Sequence, residues 1–249
     1  MRESRWAGGV SLVPDGAGWL VHTPAEEFLT VEAEPGTSVD LTSPELRDAF
    51  AAEGVVLAEP VKPGAVGLAG DGTAAAAVAR LLAESGFAVL RGTEEELLGH
   101  GPVAVVSAAD RLPDRRWSEV EPLIQAAGTP WHRIHAEGRR WYAGPFWTGP
   151  GTSGHGDTRI RRLAASPWPE RLAQYWTWLD EGGTPEPDAA AALGAAVVAA
   201  FVVADLRALA DGCTPTGTDF QVGVDLADGV VRRHPVLPVP RGLMRETPA

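Results

Sequence analysis

Cysteine is nearly absent from this sequence. Cys213 is the only one among 249 residues, so the chain forms no internal disulfide and no metal site made of cysteines alone. Basic residues are also in the minority, because 21 Lys and Arg stand against 33 Asp and Glu and the net charge is −12. A nucleic-acid-binding protein needs a basic surface that displaces counterions from phosphates, so we expect no nucleic-acid partner. The local basic patch of Arg159, Arg161 and Arg162 is interpreted as a solvated helix face.

No apolar run reaches the roughly 20 residues that span a bilayer. The longest candidate, AAAALGAAVVAAFVVA at residues 189–204, is shorter and continues into the charged segment DLRALADG. It therefore predicts a buried core helix rather than a membrane span. Residues 1–16 contain no apolar core of signal-peptide length, which favours a cytoplasmic protein. Apolar residues at 45% and charged residues at 22% are typical of a folded globular chain.

Residues 1–60 have the pattern of a small α+β region. The segments GGVSLV and GWLVHT flank the turn PDGAG, which predicts a hairpin. The segment FLTVEAE at 28–34 alternates like a half-buried strand. A helix is predicted over 42–54, where a Ser-Pro pair begins it and Gly54 ends it. The two prolines of VVLAEPVKPG indicate a boundary, so we expect one domain at 1–60 and a second at 61–249.

The second region combines strands and helices in a different way. Residues 65–145 alternate apolar strands with helices, which predicts parallel βαβ units in an open α/β sheet. After residue 150 the chain is mostly helical, and the late segment DFQVGVDLADGVVRRHPV predicts a last pair of strands. The expected fold class is α/β.

The first strand-to-helix turn of this region reads GLAGDGTAAAAVARLL. Gly70, Gly72 and Ala75 fit the G-x-G-x-x-A pattern, in which glycines let backbone amides approach phosphates. Asp71 puts a carboxylate inside the loop, where it would repel phosphate. Arg91 stands at the end of the next strand, where an acidic residue would hold a ribose hydroxyl and where arginine suits a phosphorylated ribose. A tight turn that binds nothing is the favoured interpretation, and a nucleotide site is the alternative.

Other polar residues give weaker signals. Asp110 follows the third apolar strand. It is interpreted either as a functional carboxylate at the carboxyl end of the sheet or as a cap or turn residue for the segment after it. His132 and His135 lie three residues apart on a predicted strand, so they face opposite sides and cannot share a metal. His155 is expected to be exposed in a Gly-rich loop.

Four segments, in this order, resemble the ThiF/MoeB superfamily of ubiquitin-activating-like adenylating enzymes. More narrowly, the chain resembles the ThiF-like cyclodehydratase partners, or leader-peptide-binding proteins, of thiazole/oxazole-modified peptide biosynthesis. The segments are GLAGDGTAAAAVARLL, VAVVSAAD, GTPWHRIHAEGRRWYAGPFWTGPG and RRHPVLPVPRG. The resemblance implies a Rossmann-like, ThiF-type open sheet with flanking helices, preceded by a small α+β region with a three-stranded sheet.

The resemblance also implies a metal that these residues do not suit. In such proteins two Cys-x-x-Cys pairs close a structural zinc site. The first pair follows a Pro-Gly turn and would fall here at His155 and Thr158. The second follows a His-Pro pair and would fall at Leu237 and Pro240. None of the four is cysteine, so we expect that zinc is not bound.

The role implied is recruitment rather than chemistry. We expect an accessory protein of peptide biosynthesis, without adenylation activity and without a cofactor. It would bind the leader of a precursor peptide, support a YcaO-type or other peptide-modifying enzyme, and form a homodimer. The alternative is an active nucleotide-dependent enzyme, catalysing ATP-dependent adenylation or NAD(P)-linked redox chemistry at the GDGTAA turn.

Two sets of residues are assigned on this basis. A vestigial cofactor site would consist of Gly70, Gly72, Ala75 and Asp110. Residues 1–60 are interpreted as a reduced leader-binding module, in which the segment at 28–34 is the expected edge to which a peptide adds a strand. Its peptide-binding residues would be Phe28, Leu29 and Val31.

Overall fold

Two separate units make up the chain, residues 1–61 and 62–249. The division falls inside the Pro-containing segment that indicated a boundary in the sequence. The structure is a computed structural model that describes residues 4–16, 18–32, 39, 43–58, 63–186 and 188–240.

The smaller unit is built from antiparallel strands and one helix. In chain order it contains β1 (Ser4–Trp6), β2 (Ser11–Asp15), β3 (Gly18–His22), β4 (Phe28–Glu32), α1 (Pro44–Ala52) and β5 (Val56–Ala58). The strands β2, β3 and β4 form a three-stranded sheet in that order, and β1 pairs with β5. The predicted hairpin and the helix begun by Ser43 and Pro44 are confirmed. Residues 33–34 of the predicted strand lie outside the described residues.

The larger unit has one seven-stranded sheet with helices on both faces. In chain order it contains β6 (Ala65–Ala69), α2 (Gly72–Glu84), β7 (Ala88–Arg91), α3 (Glu94–Leu98), β8 (Ala104–Ala108), α4 (Asp114–Ala127), β9 (Trp131–Glu137), β10 (Arg140–Ala143), α5 (His155–Ala165), α6 (Pro169–Asp180), α7 (Ala191–Ala210), β11 (Phe220–Asp225) and β12 (Val230–Pro235). The strand order is β12-β11-β10-β9-β8-β6-β7. This is the open α/β sheet that the alternating pattern predicted.

The sheet is parallel only in part. The strands β7, β6, β8 and β9 run parallel, whereas β10, β11 and β12 continue from β9 in an antiparallel manner. The expectation of parallel units therefore holds for one half of the sheet. The other half consists of two hairpins, whose short turns return the chain without a crossover helix.

Two apolar cores lie on the two faces of this sheet. One is formed with α2 and α7 and includes Val66, Val78 and Val202, all fully buried. The other is formed with α3, α4 and α6 and includes Val105 and Trp176. Helices on both faces leave the carboxyl ends of the parallel strands as the accessible edge, which is where open α/β sheets bind ligands.

The helix α7 is the apolar segment that the sequence predicted to be a core helix. Among the described residues it is the one helix long and apolar enough to cross a membrane by length and composition. Its buried side chains, such as Val198 and Leu206, pack against α2 and the strands β9, β10 and β11. The core-helix prediction is therefore confirmed in this structure.

Candidate functional site

The sheet has a switch point between β6 and β8. From β6 the chain passes through α2 to β7 on one side, then returns to β8 on the other side. Crevices form at such points because the two connections leave the strand ends in opposite directions. A cavity of about 910 Å³ opens here and is lined by residues of the β6–α2 and β8–α4 loops, together with α3, α4 and the segment before α7.

The two glycines of the β6–α2 turn are required by neighbouring protein atoms. Gly70 has φ 105° and Gly72 has φ 78°, in the region that side chains disfavour. A side chain at Gly70 would overlap the carbonyl oxygen of Ala108, and one at Gly72 would overlap the carboxylate of Asp110. The glycines therefore allow the turn to lie directly against the end of β8.

Asp110 fills the N-terminus of α2. Its two carboxylate oxygens accept hydrogen bonds from the backbone N–H groups of Thr73 and Ala74, both at 2.8 Å. Asp71, the residue at the N-cap position, makes no side-chain capping bond. The first-turn amides of a helix at such a turn are the groups that otherwise bind phosphate. Here an internal carboxylate takes them.

This contact gives Asp110 a role that neither interpretation of the sequence named. It is a helix cap, but it caps α2, which lies 36 residues earlier, and not the segment that follows it. Ala75 is 1% exposed and belongs to the core beneath the turn. The structure therefore brings Gly70, Gly72, Ala75 and Asp110 together. Whether they are remnants of a cofactor site stays a prediction.

Arg116, which lines the cavity, and Arg91, beside the β6–α2 turn, are held by protein groups. Arg116 donates to Glu94 at 2.7 Å and also to Glu95. The bond to Glu95 leads in raising the pKa of Arg116, and the same bond lowers the pKa of the Glu95 carboxyl. Arg91 donates to the carbonyl oxygen of Gly70 at 3.4 Å and lies over the turn. A phosphate that pairs with Arg116 would have to displace the carboxylates of Glu94 and Glu95.

A buried hydrogen-bond chain supports the wall of the cavity. Glu94, which is 7% exposed, accepts from the hydroxyl of Ser107 at 2.7 Å, and that hydroxyl accepts from Trp131 at 2.8 Å. Neither Glu94 nor its helix α3 was predicted from the sequence. The signal was present, since Thr93 and Glu96 form a capping box at the start of α3.

The two segments of the expected zinc frame do lie side by side. The hydroxyl of Ser153 donates to the carbonyl oxygen of Val236, and Asp157 accepts from the backbone N–H of Val239 at 2.7 Å. Arg161 adds a bond to the carbonyl oxygen of Leu237 at 3.2 Å. We call this joint the clasp: Ser153, Asp157 and Arg161 bonded to the segment 236–239.

The residues at the four frame positions do not fit zinc. His155 Nε2 lies 2.9 Å from a carboxylate oxygen of Asp114, and the Thr158 hydroxyl donates to Gly154 at 2.8 Å. Leu237 and Pro240 have no donor atom in their side chains, and Leu237 is 59% exposed. Within the described ranges, no group of three or more His, Cys, Asp and Glu could hold a metal ion.

Two expectations around α5 were wrong. His155 is 4% exposed rather than exposed, because it begins α5 and is held by Asp114 beneath it. The patch of Arg159, Arg161 and Arg162 is a solvated face only at Arg161, which is exposed. Arg159 donates to Asp114 at 2.8 Å and Arg162 to Glu137 at 3.0 Å, and Arg161 belongs to the clasp.

Glu137 is the centre of a buried polar cluster on the inner side of α5. It accepts from Arg162, from Trp176 at 3.2 Å, and lies 3.1 Å from His135. Burial opposes its charge, but the bonds to His135 and Arg162 outweigh burial and lower its pKa to about 2. On the opposite side of β9, His132 lies 3.0 Å from Asp205. The two histidines therefore face opposite sides, as predicted.

In the smaller unit, β4 is an end strand of its sheet. It pairs with β3, and no other described strand pairs with it. Phe28 is 62% exposed, whereas Leu29 and Val31 pack against the small core around Val21. The expected edge is present, and the three predicted peptide-binding residues divide between its two faces.

Comparison with known proteins finds similarity in structure alone. No family model matches the chain, and no curated protein matches it. E. coli MccB with MccA-N7isoASN superposes with a TM-score of 0.62 at 11% identity, over 96% of this chain and 98% of that one. The microcin C7 biosynthetic enzyme MccB in complex with N-formylated MccA gives 0.62 at 12% identity, again over 96% and 98%.

A second kind of protein has the same fold. A heterocyclase in complex with substrate and cofactor superposes with a TM-score of 0.64 at 11% identity, over 95% of this chain and 38% of that one. Identities this low show the fold. The protein has the ThiF-like fold of MccB and of part of a heterocyclase, as its motifs led us to expect.

Proposed function

We propose that the protein is a ThiF-like partner in the biosynthesis of a ribosomally made, modified peptide. It recruits the precursor peptide through residues 1–61 and supports a YcaO-type cyclodehydratase, with neither zinc nor adenylation activity of its own. The similar structures favour this class, because one is a biosynthetic enzyme bound to MccA and another is a heterocyclase bound to substrate.

The observation that carries the non-adenylating part is the position of Asp110. Its carboxylate binds the amides of Thr73 and Ala74, so a nucleotide phosphate meets a negative charge where it needs hydrogen-bond donors. The single lysine of the sequence, Lys62, lies outside the described residues and before β6. No lysine therefore follows the turn to reach a phosphate.

The second candidate is a nucleotide-dependent enzyme at the same cavity. A volume of about 910 Å³ is ample for a nucleotide, and MccB with ATP has the same fold, with a TM-score of 0.60 at 11% identity. For this function Asp110 would have to leave α2 when the nucleotide enters.

The two candidates differ in what the purified protein does with ATP. Incubation with ATP-Mg and a precursor peptide should release no pyrophosphate, while fluorescence polarisation should detect the labelled leader. Stoichiometric pyrophosphate would reject the recruiting role in favour of the enzyme. A YcaO-type enzyme should turn over the same precursor faster when this protein is added.

The proposal includes a homodimer formed through α7. Its outward face carries a row of large side chains beside a row of alanines, each with four-residue spacing: Leu193, Val197 and Phe201, then Ala196, Ala200 and Ala204. Adjacent ridges and grooves of this kind let two copies of one helix interlock. Light scattering should show a dimer that Leu193→Glu converts to a monomer. Val231→Glu, at a similarly exposed position on β12, is the control.

A further inference from the structure

The outer edge of β4 offers backbone groups to an incoming strand. β4 pairs with β3 on one side, from Gly18 opposite Glu32 to His22 opposite Phe28. No described strand covers its other side. An end strand leaves a row of N–H and C=O groups without ladder partners, and an extended peptide can pair with them. The chemistry around this edge then decides which peptide fits.

The side chains of β4 alternate between two faces. Leu29 and Val31 point to the core of the smaller unit, while Phe28, Thr30 and Glu32 are exposed on the other face. A residue of an added strand lies opposite each of them, with side chains close enough to form a cross-strand pair. Phe28 and Glu32 are four positions apart on the same face. The residues that complement them are therefore also four apart in the peptide.

The charge around the edge is mostly negative. Residues 1–61 contain eleven Asp and Glu against three Arg, so they carry −8 of the −12 of the whole chain. Glu26, Glu27 and Glu32 are exposed at or beside β4. Arg47, the one arginine of this unit whose side chain is described, lies on α1 and pairs with Asp48. Carboxylates therefore dominate the field that an approaching peptide meets.

An aromatic anchor stands at the start of the strand. Phe28 packs against His22 with ring centroids 4.9 Å apart and ring planes tilted by 46°, and it is still 62% exposed. An exposed aromatic ring fixed by a neighbouring ring offers contact area at low entropy cost. It suits an apolar side chain at the position opposite.

We infer that the β4 edge selects a basic peptide segment, with an apolar residue and a Lys or Arg four positions apart on one face of the added strand. The apolar residue packs on Phe28 and the basic residue pairs with Glu32. This inference rests on the proposed recruitment of a precursor peptide and specifies which chemistry in the precursor is recognised.

The test uses the full-length protein and labelled nine-residue peptides of alternating pattern. One peptide carries Leu and Lys four positions apart. Three control peptides differ from it by one change each. The first has Gln in place of Lys and the second has Glu in place of Lys. In the third, Leu and Lys are three positions apart, which puts the two side chains on opposite faces. The Leu–Lys peptide should bind most tightly in fluorescence polarisation. The Glu version should bind about tenfold more weakly, and added salt should reduce the difference.

Protein variants locate the effect. Glu32→Gln should weaken the Leu–Lys peptide about twofold to fivefold and leave the Gln peptide unchanged, as expected for one cross-strand pair. Asp15→Asn removes the same charge from β2, the opposite edge of the same sheet, and is the matched control. Equal losses in the two variants would overturn the assignment to β4 in favour of general attraction.

The outcomes separate the inference from the function beneath it. If the Lys, Gln and Glu peptides bind equally well, peptide recruitment stands and the selection for basic residues is wrong. If no peptide binds, and the leader itself does not bind either, the recruiting function is rejected together with the inference.

Discussion

The N-terminus of α2 and the clasp beside α5 are both places where the resemblance implies a bound group. Phosphate is implied at the first and zinc at the second. In both, an aspartate of the protein accepts two backbone N–H groups instead. Asp110 binds Thr73 and Ala74, while Asp157 binds Gly154 at 2.9 Å and Val239 at 2.7 Å.

The two places differ in what surrounds the aspartate. Asp110 lies at the wall of an open cavity of about 910 Å³, so its carboxylate has space to leave the helix. Asp157 joins two chain segments next to Ser153, which is fully buried. The two aspartates therefore stand in for an implied ligand in two different settings. At α2 the carboxylate occupies a site that removal can reopen, and in the clasp it forms a joint whose loss costs stability.

The largest loss of stability is expected when the clasp is broken. Asp157→Ala removes two hydrogen bonds to a charged acceptor and leaves two N–H groups without partners, at about 4 kcal/mol. The melting temperature should fall by roughly 8–16 °C in a calorimetric scan. Asp228→Ala is the control, because its carboxylate is exposed and, among the described residues, contacts only Arg139 at 3.5 Å. Equal stability of the two variants would show that the clasp does not hold the segments together.

Metal removal tests whether the clasp stands in place of zinc. With no zinc in the joint, dialysis against a chelator should leave the melting temperature unchanged, and elemental analysis should find less than stoichiometric zinc. Either a clear loss of stability with the chelator or one zinc per chain would contradict the clasp as a substitute for the metal.

The next loss of stability is expected at Glu137, which binds Arg162 near the C-terminal end of α5. Glu137→Gln should cost about 3 kcal/mol at pH 7, because the pKa of the carboxyl is about 2 in the folded protein against 4.5 ordinarily. A lowered carboxyl pKa stabilises the folded state above pH 4.5, and this contribution is lost as the pH falls towards 2. Unfolding curves of both proteins should therefore converge between pH 4.5 and 2. A gap that persists at pH 2 would assign the effect to packing.

A smaller loss of stability is expected when the cap of α2 is removed. Asp110→Ala removes a helix cap, at about 1 kcal/mol, and the melting temperature should fall by roughly 2–4 °C. The same change frees the amides of Thr73 and Ala74 for an anion. Inorganic phosphate should then raise the melting temperature of the variant and not that of the wild type. A fall as large as that of Asp157→Ala would remove the distinction between the two places.

The smallest effect is expected for Arg91→Ala. The side chain is exposed and makes one long bond to Gly70, so stability should change by less than about 0.5 kcal/mol. NADPH should stabilise neither the wild type nor this variant if Asp110 keeps phosphates away. An NADPH-dependent shift that is lost in Arg91→Ala would identify a phosphorylated ribose site instead.

The sequence predicted the elements better than their charged partners. Apolar periodicity and the Gly and Pro breaks located β6, α2, β7 and β8, because those signals are local. The ion pairs that overturned the expectations around α5 join residues that are distant in sequence. Arg159 meets Asp114 across 45 residues and Arg162 meets Glu137 across 25. A run of arginines looks like a solvated face until the fold supplies buried carboxylates beneath it.

The candidate site shows the same limit. The turn residues Gly70, Gly72 and Ala75 were identified, since a pattern of glycines carries its own geometry. The role of Asp110 was left between two interpretations, because capping α2 depends on how β8 lies beside β6. The last two strands were likewise predicted only as a pair, because nothing local says that β11 and β12 join the same sheet as β6 to β10.

The most direct test is an isothermal titration of ATP-Mg into the wild type and into Asp110→Ala. We expect no binding heat for the wild type and measurable binding for the variant, whose helix amides are free. Tight binding by the wild type, equal to or stronger than that of the variant, would contradict the central claim that the protein's own carboxylate occupies the phosphate position.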